Sequence, residues 1–516
     1  MSALESYFEK FRRNIAGIDQ GFISPYGNKN IIYADWVASG RIYRPIEEKM
    51  ISEFYPFVGN THSESSVTGK MMTVAYREAQ RIIKEHVNAS SEDVIIMAGT
   101  GMTAVVNKFQ RILGLTIPEQ LSNYIHIPEE ERPVVFITHM EHHSNHTTWL
   151  ETIAEVRIIE PDERGLICLE HLEYLLNEYK SRKYKIGAFT ACSNVTGIQT
   201  PYHKMAKLMH KYGGVCFVDF AASAPYVRID MHPEDAAEKL DGIFFSPHKF
   251  LGGPGTPGVL IFDSKLYSRK VPDQPGGGTV DWTNPWGEHK FISNIEVRED
   301  GGTPGFLQAI KAALCIRLKE EMGVENIKKR EDELLKKAFS ILSKIPKVHI
   351  LAQSEQERLG VISFYVEDIH YNLMVNLLND RFGIQVRGGC SCAGTYGHYL
   401  LHVDPTRSHR ITEKINNGDF SEKPGWVRLS LHQTMTDEEL DFILSAIGET
   451  VEKAGEWSKD YTYSSKTNEF SNNNTGGSLY SPENWFKISE SDYYPGSIDE
   501  GDDTDLNYFL RNETEL

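Results

Sequence analysis

From about residue 92 onward, short apolar runs alternate with longer amphipathic stretches. Runs such as DVIIMAG, PVVFITH, KIGAFTACS, GVCFVDF, GIFFSPH and GVLIF are apolar almost throughout, which is typical of strands buried on both faces. Between them, segments such as MTAVVNKFQRILGL and PYHKMAKLMHKYG carry apolar residues at helical spacing. This alternation predicts an α/β fold with a large doubly wound, mixed or parallel sheet covered by helices on both faces.

The same pattern divides the chain into four predicted parts. Residues 1–30 begin as an amphipathic helical segment, and residues 31–309 carry the strand–helix alternation of the large domain. Residues 310–454 open with a long charged helical stretch, and the strand candidates GVISFYVE, IQVRGG and GWVRLSL follow, which predicts a smaller α+β domain. Residues 455–516 are rich in Ser and Asn and then acidic, so we expect a tail that is largely disordered or lies as a strap on the body.

Composition and charge narrow the range of partners. The 516 residues carry a formal net charge of -18, which argues against binding to nucleic acid or to an anionic membrane. No run of about 18 apolar residues is present, and the first residues lack the pattern of a signal peptide. Most of the 6 cysteines stand alone in apolar segments, as buried free thiols do in a reducing compartment. We therefore expect a cytoplasmic protein.

Ionisable residues follow the predicted strands at their carboxyl ends, where the sites of open α/β sheets lie. Lys249 in SPHKFLGG is either a lysine whose amine reaches solvent at a domain edge or a desolvated amine that can attack a carbonyl. Asp219 in VDFAAS either caps the next segment or pairs with a protonated pyridine nitrogen, as in enzymes that use pyridoxal 5'-phosphate (PLP). Ser246 and His248 can donate hydrogen bonds to an anion such as a phosphate.

Two further segments are candidates for cofactor binding. AGTGMT, which ends at Thr103, places glycines and hydroxyls before a helix, where free N–H groups bind anions. THMEHHSNHTTW places His142, His143 and His146 close together. A metal site is one interpretation, although the HExxH arrangement is absent; an imidazole stacked on a cofactor ring or acting as a general acid or base is the other.

Taken together, SPHKFLGGPGTPG, MEHHSNHTTW, SNVTG, VDFAAS and VRGGCSCAG resemble the class V aminotransferase superfamily. The sequence is most similar to its group II cysteine desulfurases and selenocysteine lyases. The similarity runs from IIYADWVASG, comparable to the family's Y-L-D-x-A-A-S opening, to about VRLSLHQTMTDEEL. It implies fold type I, PLP as cofactor, and L-cysteine or L-selenocysteine as the amino acid substrate, with alanine and an enzyme persulfide as products.

The resemblance also implies a role for each matching position. Lys249 corresponds to the lysine that binds the cofactor and moves the substrate α-proton, and Asp219 corresponds to the partner of the pyridine nitrogen. His142 corresponds to the histidine stacked on the ring, and Asn194 is expected near the phenolic oxygen. The remaining expected contacts are Thr103, Ser246 and His248 to the phosphate, Thr279 to the phosphate of the neighbouring subunit in a homodimer, Arg428 to the substrate carboxylate, and Arg387 and Ala38 to the substrate.

The catalytic cysteine of the family lies five residues after an arginine, in the pattern V-R-x-G-x-x-C. In VRGGCSC this position is Cys392, and Cys390 is then a neighbouring packing residue. The resemblance implies that the Cys392 thiolate, favoured by the nearby Arg387, attacks the substrate sulfur. It also implies a possible sulfur-acceptor protein as a partner.

The sequence departs from the family pattern at two places. Ala222 stands where the family has a glutamine that contacts a cofactor oxygen, and Ser223 is the candidate replacement. Residues 393–427 roughly double the usual spacing between Cys392 and Arg428, which predicts either a lid over the site or a displaced cysteine.

Three alternatives remain open at this point. The chain could be another class V enzyme, such as an aminotransferase, an epimerase or a C–S lyase, in which Cys392 is not a nucleophile. It could be a scaffold whose acidic tail recruits a partner. It could also hold zinc or iron at the C-x-C pair.

Overall fold

Apolar runs of the sequence become strands in the computed structural model, and the amphipathic stretches become helices. The helices are α1 (Ala3–Arg12), α2 (Arg44–Lys49), α3 (Val67–His86), α4 (Met102–Ile112), α5 (Thr147–Leu150), α6 (Leu169–Glu178), α7 (Tyr202–Lys211), α8 (Ile295–Glu299), α9 (Phe306–Met322), α10 (Val324–Leu342), α11 (Tyr371–Phe382), α12 (Gly394–Leu400), α13 (Pro405–Asn416) and α14 (Asp437–Trp457). The strands are β1 (Gly21–Ser24), β2 (Gly27–Asn30), β3 (Ile32–Tyr33), β4 (Asp93–Ala98), β5 (Val134–Thr138), β6 (Glu155–Ile159), β7 (Lys185–Thr190), β8 (Val215–Asp219), β9 (Gly242–Phe245), β10 (Gly258–Asp263), β11 (Val280–Thr283), β12 (His289–Phe291), β13 (Val348–Ile350), β14 (Val361–Val366), β15 (Ile384–Gln385), β16 (Arg387–Gly389), β17 (Trp426–Ser430), β18 (Tyr461–Ser464) and β19 (Glu469–Asn472).

The large sheet has seven strands in the order β4-β10-β9-β8-β7-β5-β6. Strands β5 to β9 are parallel, and β10 runs antiparallel to both of its neighbours. The reversal has a local cause, because β9 and β10 are joined by the Gly/Pro-rich segment SPHKFLGGPGTP rather than by a crossover helix. Every residue of β5, β7 and β9 is buried, as their unbroken apolar sequences predict.

The predicted helical stretch between residues 314 and 342 is two helices, because Gly323 ends α9 with a φ of 75°. Helix α9 packs in the same core as α3 of the large part, whereas Leu334 and Leu335 of α10 belong to the core of the small part. The boundary that the sequence predicts between residues 309 and 310 therefore falls inside α9. The point at which the chain passes from the core of the large part to that of the small part falls inside α10.

The small part contains an antiparallel sheet in the order β13-β14-β17-β16. Helices α11, α10 and α14 contribute to its apolar core. The connection between the paired strands β16 and β17 contains Cys390, Cys392 and helices α12 and α13.

The two chain ends differ in part from the sequence-based expectation. Of the described residues 2–30, only Ala3–Arg12 is helical, and residues 21–30 form the hairpin β1–β2 around the turn signals Ser-Pro and Gly. At the other end, α14 runs to Trp457 and the hairpin β18–β19 follows. The Asn376 amide donates to the Phe470 carbonyl at 2.7 Å, so this first part of the predicted tail lies as a strap on α11.

The structure describes residues 2–61, 64–474 and 485–487. The acidic end of the predicted tail lies outside these ranges. Residues 1–472 form one unit, and residues 473–516 belong to a second. In the described ranges, we find no helix with the length and apolar content needed to cross a bilayer.

Candidate active site

A cavity of about 280 Å³ lies at the carboxyl ends of β7, β8 and β9. Its other side is formed by residues of β16, β17 and the segment after β16. Of the predicted site residues, those that line the cavity are Ala38, Thr103, His142, Asn194, Asp219, Ser246, His248, Lys249, Arg387, Cys392 and Arg428. Thr279 is not part of this wall; it is buried elsewhere, and its hydroxyl donates to the Gly276 carbonyl at 2.6 Å.

Lys249 and Asp219 are two buried ionisable residues of the cavity wall whose charges affect each other. Burial lowers the pKa of Lys249 to about 8, and the Asp219 carboxylate opposes this shift. Burial raises the pKa of Asp219 to about 6, against the hydrogen bond that its Oδ1 accepts from the Ala221 N–H at 2.8 Å. A large share of Lys249 is therefore neutral near pH 8, the form in which an amine attacks a carbonyl.

An anion cradle lies where the loop after β4 meets the start of α4. The Met102 N–H donates to Ser246 Oγ at 2.8 Å, and the hydroxyls of Thr103 and Ser144 lie 2.6 Å apart. A Cβ on Gly101 would lie 3.2 Å from Ser246 Oγ, so a side chain there would narrow the cradle. The start of α4, the nearby hydroxyl groups and the lack of a side chain at Gly101 make this cradle suitable for a phosphate.

The three neighbouring histidines have different partners. His142 lines the cavity, and its Nδ1 accepts a hydrogen bond from the Ser144 N–H at 3.1 Å. Burial, and then the charge of Lys249, lower the pKa of His142 to about 3, so its imidazole is neutral. His143 and His146 instead contact the segment that follows Cys392. Across the described ranges, no three His, Cys, Asp or Glu side chains are grouped as metal ligands.

Glu141 supports the cavity from behind, and sequence reasoning did not select it. Its Oε1 accepts hydrogen bonds from Thr138 Oγ1 at 2.6 Å and from the Thr190 N–H at 2.9 Å, while Oε2 accepts from Asn145 Nδ2 at 2.8 Å. These bonds join the ends of β5 and β7. Burial raises the pKa of Glu141 to about 8. The sequence signal that could have identified it is a carboxylate within three residues of the end of an apolar strand.

Arg387 and Arg428 share one carboxylate, that of Asp35. Arg387 Nε donates to Asp35 Oδ2 at 3.0 Å, and Arg428 Nη2 donates to Asp35 Oδ1 at 2.7 Å. Arg428 Nη1 donates to the Asn194 carbonyl at 3.2 Å, whereas its buried Nε has no hydrogen-bond partner among the described residues. Arg428 thus keeps a donor for a ligand carboxylate. Asp35 belongs to the ADWVASG opening, but its contact with two distant arginines is invisible in the sequence.

Cys392 and Cys390 occupy different environments. Cys392 is exposed and lines the cavity, while Cys390 is half-buried and is not part of the wall. None of residues 393–427 lines the cavity. The added length also leaves Cys392 in the same cavity as Lys249.

Two residues were considered at the family's glutamine contact, Ala222 at the position itself and Ser223 as a candidate replacement. Ala222 lines the cavity, but Ser223 does not, and its buried hydroxyl has no partner within the described ranges. Asn194 Oδ1, in the cavity wall, is similarly unpartnered there. Asn194, rather than Ser223, therefore has a polar atom free for a ligand.

Comparison with known protein families shows to which family the chain belongs. The family model for aminotransferase class-V matches residues 32–443, which is most of the chain. The chain belongs to this family. Membership confirms the prediction of a PLP-dependent enzyme with the α/β architecture of fold type I.

Curated relatives and solved structures agree with this assignment. A probable cysteine desulfurase of Halalkalibacterium halodurans is 29% identical over 70% of this chain and 84% of the relative. A probable cysteine desulfurase of Staphylococcus epidermidis is 30% identical over 71% of this chain and 84% of the relative. An apo cysteine desulfurase structure from Thermococcus onnurineus NA1 superposes with a TM-score of 0.69, at 24% identity, over 86% of this chain and 98% of the other. That likeness concerns the fold.

Proposed function

We propose that this class-V enzyme is a cysteine desulfurase. It takes sulfur from L-cysteine, or selenium from L-selenocysteine, and leaves alanine. The observation that carries the proposal is that Cys392, Lys249 and Arg428 line one cavity. A thiol, a desolvated amine and a buried guanidinium are the three groups that the reaction requires. Relatives that are named probable cysteine desulfurases support it further.

The donor set of the cavity supports PLP as the cofactor. Lys249 offers an amine with a lowered pKa, and Asp219 offers a buried carboxylate for a pyridine nitrogen. The cradle around Gly101 fits a phosphate, and Asn194 has a free polar atom in the wall. When bound, PLP supplies an electron sink next to the substrate α-carbon. Lys249 then accepts and returns the α-proton at its Nζ.

Arg428 is the proposed ligand of the substrate carboxylate. It is 3% exposed, and its Nε lacks a partner among the described residues. Its planar group can bind a carboxylate through two N–H bonds, which lysine cannot do. Arg387 adds positive charge at the exposed edge, and the small Ala38 leaves room for the substrate.

Cys392 performs the sulfur transfer. Its thiolate forms a bond to the substrate sulfur while the bond between that sulfur and the substrate β-carbon breaks. The bonding electrons leave with the carbon, which then takes up a proton. L-cysteine and the Cys392 thiol thus become alanine and a Cys392 persulfide, and no external oxidant or reductant is needed. Because Cys392 is exposed, the persulfide is accessible to a sulfur-acceptor protein.

A homodimer is part of the proposal. A second cavity of about 460 Å³ borders the anion cradle at Gly99, Thr100 and His248. A partner subunit that enters this cavity would reach the phosphate cradle. Thr279, which the resemblance assigns to this contact, is buried in its own chain and does not offer it in this structure. Exposed apolar side chains on α2 to α3 and the turns between them also support a subunit contact; these are Ile51, Tyr55, Val58, Met71 and Val74.

The two cysteines of the C-x-C pair provide the decisive experiment. In Cys392→Ser, release of alanine and sulfide from L-cysteine is expected to cease, and no persulfide-bearing peptide appears in the mass spectrum. Cys390→Ser is the matched control and retains both signals. Full sulfide release by Cys392→Ser would instead favour a C–S lyase or another class V reaction.

Cofactor binding is tested separately from the reaction. The visible absorbance band of bound PLP is expected to disappear in Lys249→Ala. Lys319 is a buried lysine outside the cavity wall whose Nζ donates to the Ala224 carbonyl at 2.7 Å, so Lys319→Ala is the control that keeps the band. A band that persists in Lys249→Ala would contradict the role of Lys249, and its absence from the wild type would favour the scaffold alternative.

A further inference from the structure

The segment around Cys392 is attached to the large part of the protein on both sides of the cysteine. The main-chain N–H of His143 donates to the Cys392 carbonyl at 2.7 Å. The imidazole Nε2 of the same residue accepts a hydrogen bond from the Gly394 N–H at 3.0 Å. His143, a residue of the large part, thus forms hydrogen bonds with both Cys392 and Gly394.

Further contacts continue this attachment in both directions. Asn194 Nδ2 donates to the Ser391 carbonyl at 2.7 Å, and His146 Nδ1 lies 3.2 Å from Thr395 Oγ1. Beyond the cysteine, α12 begins at Gly394 and packs Tyr396 into the large core. The first turn of the added segment is therefore fixed to the wall of the cavity.

The attachment holds an unusual backbone conformation. Ser391 and Cys392 have φ angles of 51° and 56°, in the left-handed region. A side chain in this region costs about 1–2 kcal/mol per residue, so two in succession persist only where surrounding contacts impose them. Without these contacts, the segment would relax and carry the thiol to a different place.

We propose that His143 is a positioning residue for Cys392: its imidazole holds the Gly394 N–H and so keeps the thiol at the cavity. The proposal rests on the function proposed above, since it assigns Cys392 the sulfur transfer. Because Gly394 is the donor, the imidazole must be neutral with its proton on Nδ1. Burial lowers the pKa of His143, and the charge of Lys423 lowers it further, which favours this neutral form. His143 does not line the cavity, so it acts through Cys392 rather than on the substrate.

Hydrogen–deuterium exchange of the full-length, PLP-loaded protein tests the attachment. In His143→Ala, peptides that cover residues 391–394 are expected to exchange about fivefold faster. This is the change in rate that corresponds to the loss of one hydrogen bond worth about 1 kcal/mol. His143→Gln supplies a side-chain oxygen near the position of Nε2 and is expected to restore slow exchange. His349→Gln is the control, because His349 is half-buried on β13, outside the cavity wall, and pairs with Glu367. Unchanged exchange in His143→Ala would overturn the proposal.

Steady-state kinetics test the consequence for catalysis. His143→Ala is expected to lower kcat for alanine release about tenfold or more, while KM for L-cysteine and the PLP absorbance stay unchanged. His143→Gln is expected to recover most of kcat. Faster exchange with an unaltered kcat would overturn the positioning role and, if Cys392→Ser is inactive, would leave the proposed function standing. Activity retained by Cys392→Ser would remove the proposed function and this role with it.

Discussion

Arg387 and Arg428 lie directly opposite each other on the antiparallel strands β16 and β17. Like charges in such a pair repel each other. The Asp35 carboxylate accepts a hydrogen bond from each guanidinium group and offsets this repulsion. The three side chains together carry one net positive charge, which matches a single carboxylate on the substrate.

Asp35→Asn is therefore expected to destabilise the protein. Arg428 is 3% exposed, and the variant leaves it without a counter-charge. We expect the free energy of unfolding, measured by urea titration, to fall by about 3 kcal/mol. Glu355→Gln is the control: its partner Arg164 is 65% exposed, so we expect a loss below about 1 kcal/mol. Equal losses in the two variants would contradict the proposed role of Asp35.

Arg428→Lys is expected to impair substrate binding while keeping the charge. Lysine cannot form the paired N–H bonds to a carboxylate, so kcat/KM for L-cysteine should fall about 100-fold. Arg387→Lys is the matched variant on the opposite strand. Because the Arg387 side chain is 48% exposed, we expect its loss to stay within about tenfold. A larger effect at Arg387 would make that residue the carboxylate ligand.

Gly101→Ala is expected to weaken cofactor binding. The new Cβ would lie 3.2 Å from Ser246 Oγ and 3.8 Å from the His248 ring, where the cradle must admit a phosphate. The backbone is extended at this position, with a φ of 171°, so the effect is steric rather than conformational. Titration of apo protein with PLP should show an affinity about tenfold lower. Gly455→Ala, at an open position on α14, should bind as the wild type does.

The stability of the protein at acid pH is expected to depend on His432. This side chain is buried and stacks on Trp36, with 3.7 Å between the ring centroids. Burial, and then the charge of Arg12, lower the pKa of His432 to about 3, whereas the pKa of a histidine in the unfolded chain is about 6.5. Its contribution to stability is therefore complete above pH 6.5 and is lost as the pH falls toward 3.

His432→Asn should remove this dependence, because asparagine does not titrate. The variant is expected to be less stable at pH 7, where it lacks the stacking contact. Between pH 6 and 4, its unfolding free energy should fall less steeply than that of the wild type, by up to about 1.4 kcal/mol per pH unit. Urea titrations at several pH values measure both slopes. Parallel curves would show that another group controls the acid transition.

The strands and the residues at their ends could be predicted from the sequence. Unbroken apolar runs identify β7, β8 and β9. The residues at or just after their ends, including Asp219 and Lys249, must meet at one edge. The lysine and aspartate of the cavity are therefore consequences of local sequence order. The same reasoning predicts His142 and Ser246 at this edge.

Residues that act through pairing between distant strands could not be predicted in this way. Asp35 acquires its role only when β16 and β17 align two arginines beside it. Glu141 acquires its role only when β5 and β7 become neighbours. The orientation of residues 393–427 was also undetermined, because the amphipathic pattern of α13 indicates a buried face but not the surface that it covers.

The added segment lies in the connection between two strands that remain paired, β16 and β17. Loop-closure entropy grows only with the logarithm of length, so doubling such a connection costs about 0.6 kcal/mol. Cys392 lies at the beginning of this connection, while the arginines lie on the strands that it joins. Substitutions in this connection can therefore change the surroundings of the thiol without disturbing the strand alignment that sets Arg387 opposite Arg428.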